Sequence, residues 1–238
     1  MGRNNYFKFK QFTIIQEKSA MKVGTDGILL GAWANVASTE TMLDIGAGTG
    51  LITLMLAQRS EAGVVGIEIE KNAAAEAQDN VSNSPWKNRV NILNQSLQEF
   101  AASSEKSFDL IVSNPPFFVN NKKNNDSNLA MARHADSLPP GELLGGVLKL
   151  LKTRGRFAVI LPVQQATDLI RAAEENKLFL VRLTKLAPDE TKESHRYLME
   201  FSRNQDEIKS DRLNIFNVEH SDYTAEYKNL TRDFYLNF

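Results

Sequence analysis

Hydrophobic and polar positions alternate along the middle of the chain in two kinds of segment. Between residues 41 and 161, short β-branched or apolar runs are separated by amphipathic stretches of helix length. This order is typical of βαβ units around a parallel sheet, and the near-continuous apolar runs suit strands that are buried on both faces. The pattern predicts five strands, at 42–45, 63–69, 90–94, 108–113 and 156–161.

Three helices are predicted between these strands, at 51–59, 72–83 and 141–151. In each of them apolar residues recur at intervals of three and four, which places them on one face of a helix. Gly155 is interpreted as the residue that follows the end of the third helix, because glycine is common just past a helix C-terminus.

The order of elements changes after residue 162. A helix at 165–175 precedes two predicted strands, 178–186 and 195–202, which form an antiparallel hairpin. Near the N-terminus, the segment 6–16 alternates aromatic residues with lysines, as an appended strand or hairpin does. The prediction is a single α/β domain of three layers, with a seven-stranded, mostly parallel sheet and a C-terminal antiparallel hairpin. Its parts are an N-terminal cap at 1–40, a core at 41–203 and a C-terminal extension at 204–238.

Composition limits the class of protein. The chain of 238 residues is 42% hydrophobic and 24% charged, which is close to the average of globular proteins. It has no cysteine, which excludes disulfides and thiolate metal sites and favours a cytoplasmic location. With three scattered histidines, no metal site is predicted. No apolar run reaches the roughly 18 residues of a membrane helix, and the net charge of −1 means that a nucleic acid would need a local basic patch.

A glycine-rich turn follows the first predicted core strand and is the most informative motif. In Asp44-Ile-Gly46-Ala-Gly48-Thr-Gly50, alternate glycines allow a tight turn and a close approach to a ligand at the carboxyl end of a strand. The dinucleotide pattern would require a third glycine at Leu51, so a nicotinamide cofactor is disfavoured. The carboxylate of Asp44 repels a pyrophosphate and favours a cation such as the sulfonium of S-adenosylmethionine.

Further polar residues stand near the ends of the next two strands. Glu68 is positioned to accept both hydroxyls of a ribose, and Glu70 competes for that role. Ser96, near the end of the third strand, is a candidate for hydrogen bonding to the adenine of the cofactor. The alternative is that the glycines only make a strand-to-helix turn and that the acids only solvate it.

The fourth strand ends in Asn114-Pro115-Pro116-Phe117. The two prolines stiffen the turn and leave the Asn114 side chain and the Pro115 carbonyl as preset acceptors. An exocyclic amine is a poor nucleophile, and two hydrogen bonds to its N–H groups help to turn its lone pair toward a methyl donor. Phe117 would stack on an extruded base. The alternative is an ordinary turn, since all of these residue types except Phe favour turns.

The glycine loop and the tetrad at 114–117 together resemble those of class I Rossmann-like amino-methyltransferases, which act on adenine, guanine or a glutamine amide. Three further stretches, 21–31, 83–86 and 231–236, resemble the bacterial tRNA(Val) adenine-N6 methyltransferases, which modify adenine 37 beside the anticodon. The resemblance covers nearly the whole chain and departs at 120–128. It implies S-adenosylmethionine as the cofactor and a tRNA as the substrate.

The resemblance also implies roles for residues outside the two motifs. The segment 22–27 would lie over the methyl end of the cofactor, with Thr25 and Asp26 lining the pocket, although either residue suits a helix N-cap equally well. Basic residues around the acceptor pocket would line a path for RNA or, alternatively, form a solvated face. These candidates are Lys22, Lys122, Lys123, Arg133 and His134.

Three other functions remain open from the sequence. The tetrad also serves glutamine-amide N5 methyltransferases that act on a protein, more often with Tyr in the fourth place, and the wider family includes rRNA guanine-N2 methyltransferases. A partner that binds cofactor or RNA without turnover is the non-enzymatic alternative. The protein is predicted to act as a monomer.

Overall fold

The computed structural model describes residues 5–116 and 138–238 of the protein. Phe117, Lys122, Lys123, Arg133 and His134 lie outside the described residues. The strands are β1 (Tyr6–Lys8), β2 (Thr13–Ile15), β3 (Thr41–Ile45), β4 (Gly63–Glu68), β5 (Val90–Asn94), β6 (Phe108–Ser113), β7 (Leu151–Pro162), β8 (Phe179–Ala187), β9 (Arg196–Ser202) and β10 (Lys209–Asn214). The helices are α1 (Thr25–Trp33), α2 (Leu51–Arg59), α3 (Lys71–Ser82), α4 (Leu97–Ser103), α5 (Pro140–Leu150), α6 (Val163–Glu175) and α7 (Ala225–Thr231).

One large sheet organises the described residues, in the order β10-β8-β9-β7-β6-β3-β4-β5. The five neighbouring strands β7, β6, β3, β4 and β5 are parallel to one another. Strand β9 runs antiparallel to both β7 and β8. The prediction of a mostly parallel sheet with a C-terminal antiparallel hairpin is confirmed. The sheet has eight strands where seven were predicted, because β10 from the C-terminal extension pairs in parallel with β8. Its sequence, Lys-Ser-Asp-Arg-Leu-Asn, has only one apolar residue and gave no strand signal.

Helices cover both faces of the sheet, so that the predicted three layers are present. One apolar cluster joins one face of the sheet to α1, α2, α3 and the β1–β2 hairpin. A second cluster joins the other face to α4, α5 and α6. Consecutive residues of one strand point into different clusters, as Met42 and Leu43 do in β3. The central strands β3 and β6 are therefore buried on both sides.

The boundaries differ from the sequence prediction in several places. Helices α1, α4 and α7 were not predicted; α1 is buried on nearly every side and therefore lacks an amphipathic period. Its N-cap is Gly24, so neither Thr25 nor Asp26 caps it. The interpretation of Gly155 as a helix terminus was wrong, because Gly155 lies inside β7, where the pairing with β6 shifts register. A Cβ there would lie 2.8 Å from the Phe108 carbonyl oxygen, which explains the glycine.

Gly66, in the middle of β4, lets the glycine loop pack against the sheet. A Cβ at this position would lie 2.6 Å from Ile92 Cδ1 and 3.0 Å from both Ala47 Cβ and Thr53 Oγ1. We expect Gly66→Ala to lower the free energy of unfolding by about 1–3 kcal/mol, because a close-packed core resists an added methyl group. Denaturant titration measures this. Gly63→Ala in the same strand is the control, since its Cβ would meet no atom of residues 5–116 and 138–238 nearer than 3.9 Å. Equal losses in both variants would contradict the packing argument.

Candidate active site

The carboxyl ends of four parallel strands meet at one edge of the sheet. Ile45 pairs with Ile67 of β4 on one side and with Ser113 of β6 on the other. The chain runs outward from β3 through β4 to β5 and then returns to the opposite side of β3 as β6. In open α/β sheets ligands bind at such a reversal of strand order. The buried Ser113 hydroxyl donates to the Ile45 carbonyl at 3.0 Å and fixes the two strand ends together.

A cavity of about 520 Å³ opens at this reversal, and we call it the strand-end cavity. It is lined by the glycine loop, by the residues that follow β4, β5 and β6, by residues 19–21 and by the start of α5. The predicted site residues that line it are Gly46, Gly48, Glu68, Ser96, Asn114, Pro115 and Pro116. The two motifs found in the sequence therefore face one space, whereas Thr25, Asp26, Asp44 and Gly50 lie outside its lining.

The glycine loop has a backbone that only glycine adopts easily. Gly46, Gly48 and Gly50 have φ values of 75°, 54° and 80°. A Cβ at Gly46 or Gly48 would meet no atom of the described residues within 4 Å, so in this part of the chain the space in front of both residues is open to a ligand. Gly50 has a different role: it is the N-cap of α2, and its Cβ would lie 3.4 Å from Ala77 of α3.

Asp44 lies behind the loop and is fully buried. Its Oδ2 accepts a hydrogen bond of 2.6 Å from the Thr53 hydroxyl, whereas Oδ1 is buried without a partner among the described residues. Burial raises the pKa of the Asp44 carboxyl from 3.8 to about 7; the hydrogen bonds from Thr53 oppose this shift, and the charge of Glu68 adds to it. A carboxylate held in this way is stabilised by a nearby cation.

Both Glu68 and its competitor Glu70 line the cavity, but only Glu68 also bonds to the glycine loop among the described residues. Its Oε2 accepts from the Gly48 amide at 2.8 Å, and its Oε1 accepts from the Glu70 amide at 2.9 Å. Each carboxylate oxygen retains a second lone pair, which suits it to the two hydroxyls of a ribose. Glu70 caps α3 through the amides of Asn72 and Ala73. These hydrogen bonds also lower the pKa of Glu70.

Ser96 lines the cavity but its side chain has a local role. Its hydroxyl accepts from the Glu99 amide, and the Glu99 carboxylate accepts from the Ser96 amide, which is a complete capping box at the start of α4. The Ser-x-x-Glu spacing is a sequence signal that would have revealed α4. Sequence reasoning also missed the lining residues Met21 and Ile69, two of the exposed large apolar side chains.

Asn114 directly follows the end of β6 and lines the same cavity as the glycine loop. Its Oδ1 is buried and has no hydrogen-bond partner among the described residues. Pro115 beside it is buried, while Pro116 is exposed. An unpaired buried carbonyl oxygen costs about 1–3 kcal/mol, and such atoms are rare in folded proteins unless a ligand or water satisfies them. The atom is therefore an acceptor available to a donor in the cavity.

Helix α1 begins beside Asn114. A Cβ at Gly27 would lie 3.8 Å from Asn114 Nδ2, so the first turn of α1 packs next to that amide. Asp26 in the same turn pairs with Arg196 of β9 at 3.1 Å, and Thr25 is the first residue of the helix. The structure thus uses Asp26 to attach α1 to the sheet.

Lys22 is the predicted RNA-binding residue that the structure describes. Its ammonium donates to the Gln16 carbonyl, and the Gln16 side chain accepts from the Val23 amide at 2.8 Å. Within residues 5–116 and 138–238, no group of three or more His, Cys, Asp or Glu side chains could hold a metal ion. No helix in these ranges has the length and apolar character needed to cross a membrane.

The parallel sheet, the glycine loop at its strand reversal and the facing Asn-Pro-Pro turn define a Rossmann-like class I methyltransferase. The family model of the methyltransferase small domain matches residues 19–155. Relatives from Bacteroides thetaiotaomicron and Trichodesmium erythraeum, both tRNA1(Val) (adenine(37)-N6)-methyltransferases, are each 45% identical over 98% of this chain and cover 98% and 99% of their own lengths. The chain belongs to the tRNA1(Val) (adenine(37)-N6)-methyltransferase family.

Among solved structures, a predicted O-methyltransferase from Agrobacterium tumefaciens superposes with a TM-score of 0.69. It is 16% identical, and the match covers 88% of this chain and 96% of that one. At this identity the similarity concerns the fold alone. The class I fold predicted from the sequence is confirmed.

Proposed function

We propose that this protein transfers a methyl group from S-adenosylmethionine to the exocyclic N6 of an adenine in tRNA, at position 37 of tRNA(Val). The observation that carries the proposal is the buried Asn114 Oδ1, which lacks a hydrogen-bond partner among the described residues and belongs to a residue that lines the same cavity as the open glycine loop. Near-full-length identity of 45% to relatives with this activity supports the choice of substrate.

The cofactor half of the cavity suits S-adenosylmethionine. Gly46 and Gly48 leave open space, Glu68 offers oxygens to the ribose, and the Asp44 carboxylate behind the loop favours a positive charge. When bound, S-adenosylmethionine supplies the methyl group as an electrophile. The roles of Thr25, Asp26, Gly50 and Ser96 in cofactor binding stay predictions.

The acceptor half acts by hydrogen bonding. Asn114 Oδ1 and the Pro115 carbonyl accept the two N–H groups of the adenine amine, which orients the N6 lone pair toward the methyl carbon. Bound S-adenosylmethionine would supply its methyl carbon to this lone pair and be left as the neutral thioether, and the surplus N6 proton would pass to water. The two acceptors position the amine, so no strong base is needed. Pro116 stiffens the turn.

The remaining predictions belong to the same proposal. We infer a single domain that acts as a cytoplasmic monomer and binds tRNA through a local basic surface that includes Lys22. Phe117, Lys122, Lys123, Arg133 and His134 fall outside the described residues and keep the roles of base stacking and RNA contact as predictions.

Mass spectrometry of tRNA nucleosides tests the substrate. The enzyme is incubated with S-adenosylmethionine carrying a labelled methyl group and with bulk tRNA or a release-factor protein. We expect labelled N6-methyladenosine in tRNA(Val) and none when adenine 37 is replaced by guanine. Label in a glutamine of the protein, or in a guanine, would overturn the substrate. Binding of cofactor without any transfer would overturn the catalytic role.

A further inference from the structure

An N-terminal segment completes one wall of the strand-end cavity. Residues 15–21, which we call the strap, run from the end of β2 past α3, and Ser19, Ala20 and Met21 line the cavity. Ser19 is buried, whereas the Met21 side chain is 51% exposed. No part of the strap is a helix or strand beyond Ile15, so its shape depends on contacts with other elements.

Glu76 of α3 provides most of those contacts. It is only 3% exposed, and among the described residues its carboxylate accepts four hydrogen bonds, all from three consecutive strap residues. Oε2 accepts from the amides of Glu17 at 2.6 Å and Lys18 at 2.7 Å. Oε1 accepts from the Ser19 amide at 3.1 Å and from the Ser19 hydroxyl at 2.6 Å. One buried carboxylate thus holds the strap where it reaches the cavity.

Asn80, one turn further along α3, holds the start of the strap. Its Oδ1 accepts from the Ile15 amide, and its Nδ2 donates to the Ile15 carbonyl, both at 2.9 Å. The same Nδ2 donates to the Thr49 carbonyl of the glycine loop at 2.9 Å. The side chains of Glu76 and Asn80 lie four residues apart and hence on one face of α3. This face of α3 therefore connects the strap to the glycine loop.

Glu76 is a charged residue at a buried position, where a residue that only packs would be apolar. A buried carboxylate is costly unless it is paired or hydrogen-bonded, and the hydrogen-bond partners of Glu76 in the described residues are amides and a hydroxyl. Burial raises the pKa of Glu76, but the hydrogen bonds from Ser19, Lys18 and Glu17 outweigh it and leave the pKa below its ordinary value. The ionised form therefore persists at neutral pH and keeps all its acceptor positions.

We propose that Glu76, with Asn80 as a second anchor, is a positioning residue: it holds the strap in the shape that completes the cofactor cavity and thereby sets cofactor affinity without touching the cofactor. This inference rests on the proposed use of the strand-end cavity for S-adenosylmethionine. Asn114 follows β6, which lies on the opposite side of β3 from β4 in the sheet, and the hydrogen bonds of Glu76 to described residues go to the strap, so we expect the methyl-transfer step not to depend on the strap anchor.

The test is Glu76→Gln in the full-length protein. In Glu76 each carboxylate oxygen accepts two hydrogen bonds from the strap. The substitution replaces one of these oxygens by an NH2 group, which cannot accept and would face two strap donors. We expect the Kd for S-adenosylmethionine and its KM to rise about tenfold. The kcat at saturating cofactor should stay within about twofold, because the substitution weakens binding of the cofactor equally in the ground state and in the transition state. Titration calorimetry and steady-state methylation of tRNA measure the two quantities. Asp79→Asn, an exposed change of the same charge on α3, is the control and should leave both unchanged.

Ser19→Ala is a gentler variant that removes only the hydroxyl bond to Glu76. We expect its Kd to rise about twofold to fivefold, and hydrogen exchange at the amides of residues 17–19 to quicken in both variants. A Glu76→Gln protein that melts earlier but binds the cofactor with wild-type affinity would overturn the proposal, as would an equal fall in kcat and in affinity. A wild-type protein that fails to bind S-adenosylmethionine would instead overturn the proposed function.

Discussion

Asn114→Ala is expected to lower kcat for tRNA methylation by about 10³-fold, the typical cost of removing a preorganised hydrogen-bonding group from a transition state. The reason is geometric: Asn114 lines the cavity and its Oδ1 is buried and unpaired among the described residues, so this oxygen is available to accept a hydrogen bond from the proposed acceptor base. Cofactor affinity should change by less than about twofold, because the glycine loop and Glu68 are untouched. Single-turnover kinetics and titration calorimetry separate the two effects.

Asn91→Ala provides the control for Asn114→Ala. Asn91 is exposed on β5, so its removal should leave kcat and affinity unchanged. Equal losses of turnover and of cofactor affinity in Asn114→Ala would refute the division of the cavity into a cofactor half and an acceptor half. A variant with normal turnover would remove Asn114 from the mechanism.

Asp44→Asn is expected to weaken binding of S-adenosylmethionine at pH 8 by about tenfold to a hundredfold, which corresponds to about 1.4–2.8 kcal/mol. The carboxylate is fully buried behind the glycine loop, and its pKa of about 7 means that it is mostly ionised at pH 8 and mostly protonated at pH 6. Affinity of the wild-type protein for the cation should therefore fall as the pH is lowered through 7. In Asp44→Asn this dependence should disappear, and a variant that retained the wild-type pH profile would contradict the role of Asp44.

Asp44→Asn should weaken cofactor binding but stabilise the fold of the apoprotein at high pH. The pKa of Asp44 rises from 3.8 in an unfolded chain to about 7 in the folded protein, so the folded state binds more protons between these values. Its free energy of unfolding therefore decreases as the pH rises through this window and stays lower above it. We expect Asp44→Asn to raise the melting temperature at pH 8 and to change it less at pH 5. Thermal unfolding of the apoprotein at both pH values checks the sign.

The predicted core strands recur in the structure because their signal is local. Strand β5 has the predicted bounds 90–94 and β6 the predicted bounds 108–113, since continuous apolar runs between turn residues depend only on neighbouring positions. The glycine loop and the Asn-Pro-Pro turn follow those strands directly. Once the strands are parallel and adjacent, their ends must share an edge, so the sequence also predicts that the two motifs meet.

Other features depend on residues distant in the chain, and local patterns do not show them. Strand β10 has a polar sequence and becomes a strand only because the exposed edge of β8 offers it hydrogen-bond partners. Helix α1 has no polar face because sheet and helices surround it. Ser96 could be read as a ligand or as a cap, and the capping box decides how its hydroxyl is used.

The sequence by itself determined the class of fold, the parallel core strands and the two motifs of the candidate site, because hydrophobic period and turn chemistry are properties of short segments. The tertiary structure alone decided which acid faces the cavity and which lies buried behind it, with Glu68 in the first position and Asp44 in the second. It also decided that Glu76 reaches a segment 57 residues away at Ser19. Burial and hydrogen-bond partnership arise only when distant segments pack together, and these two properties set the charge and availability of each side chain.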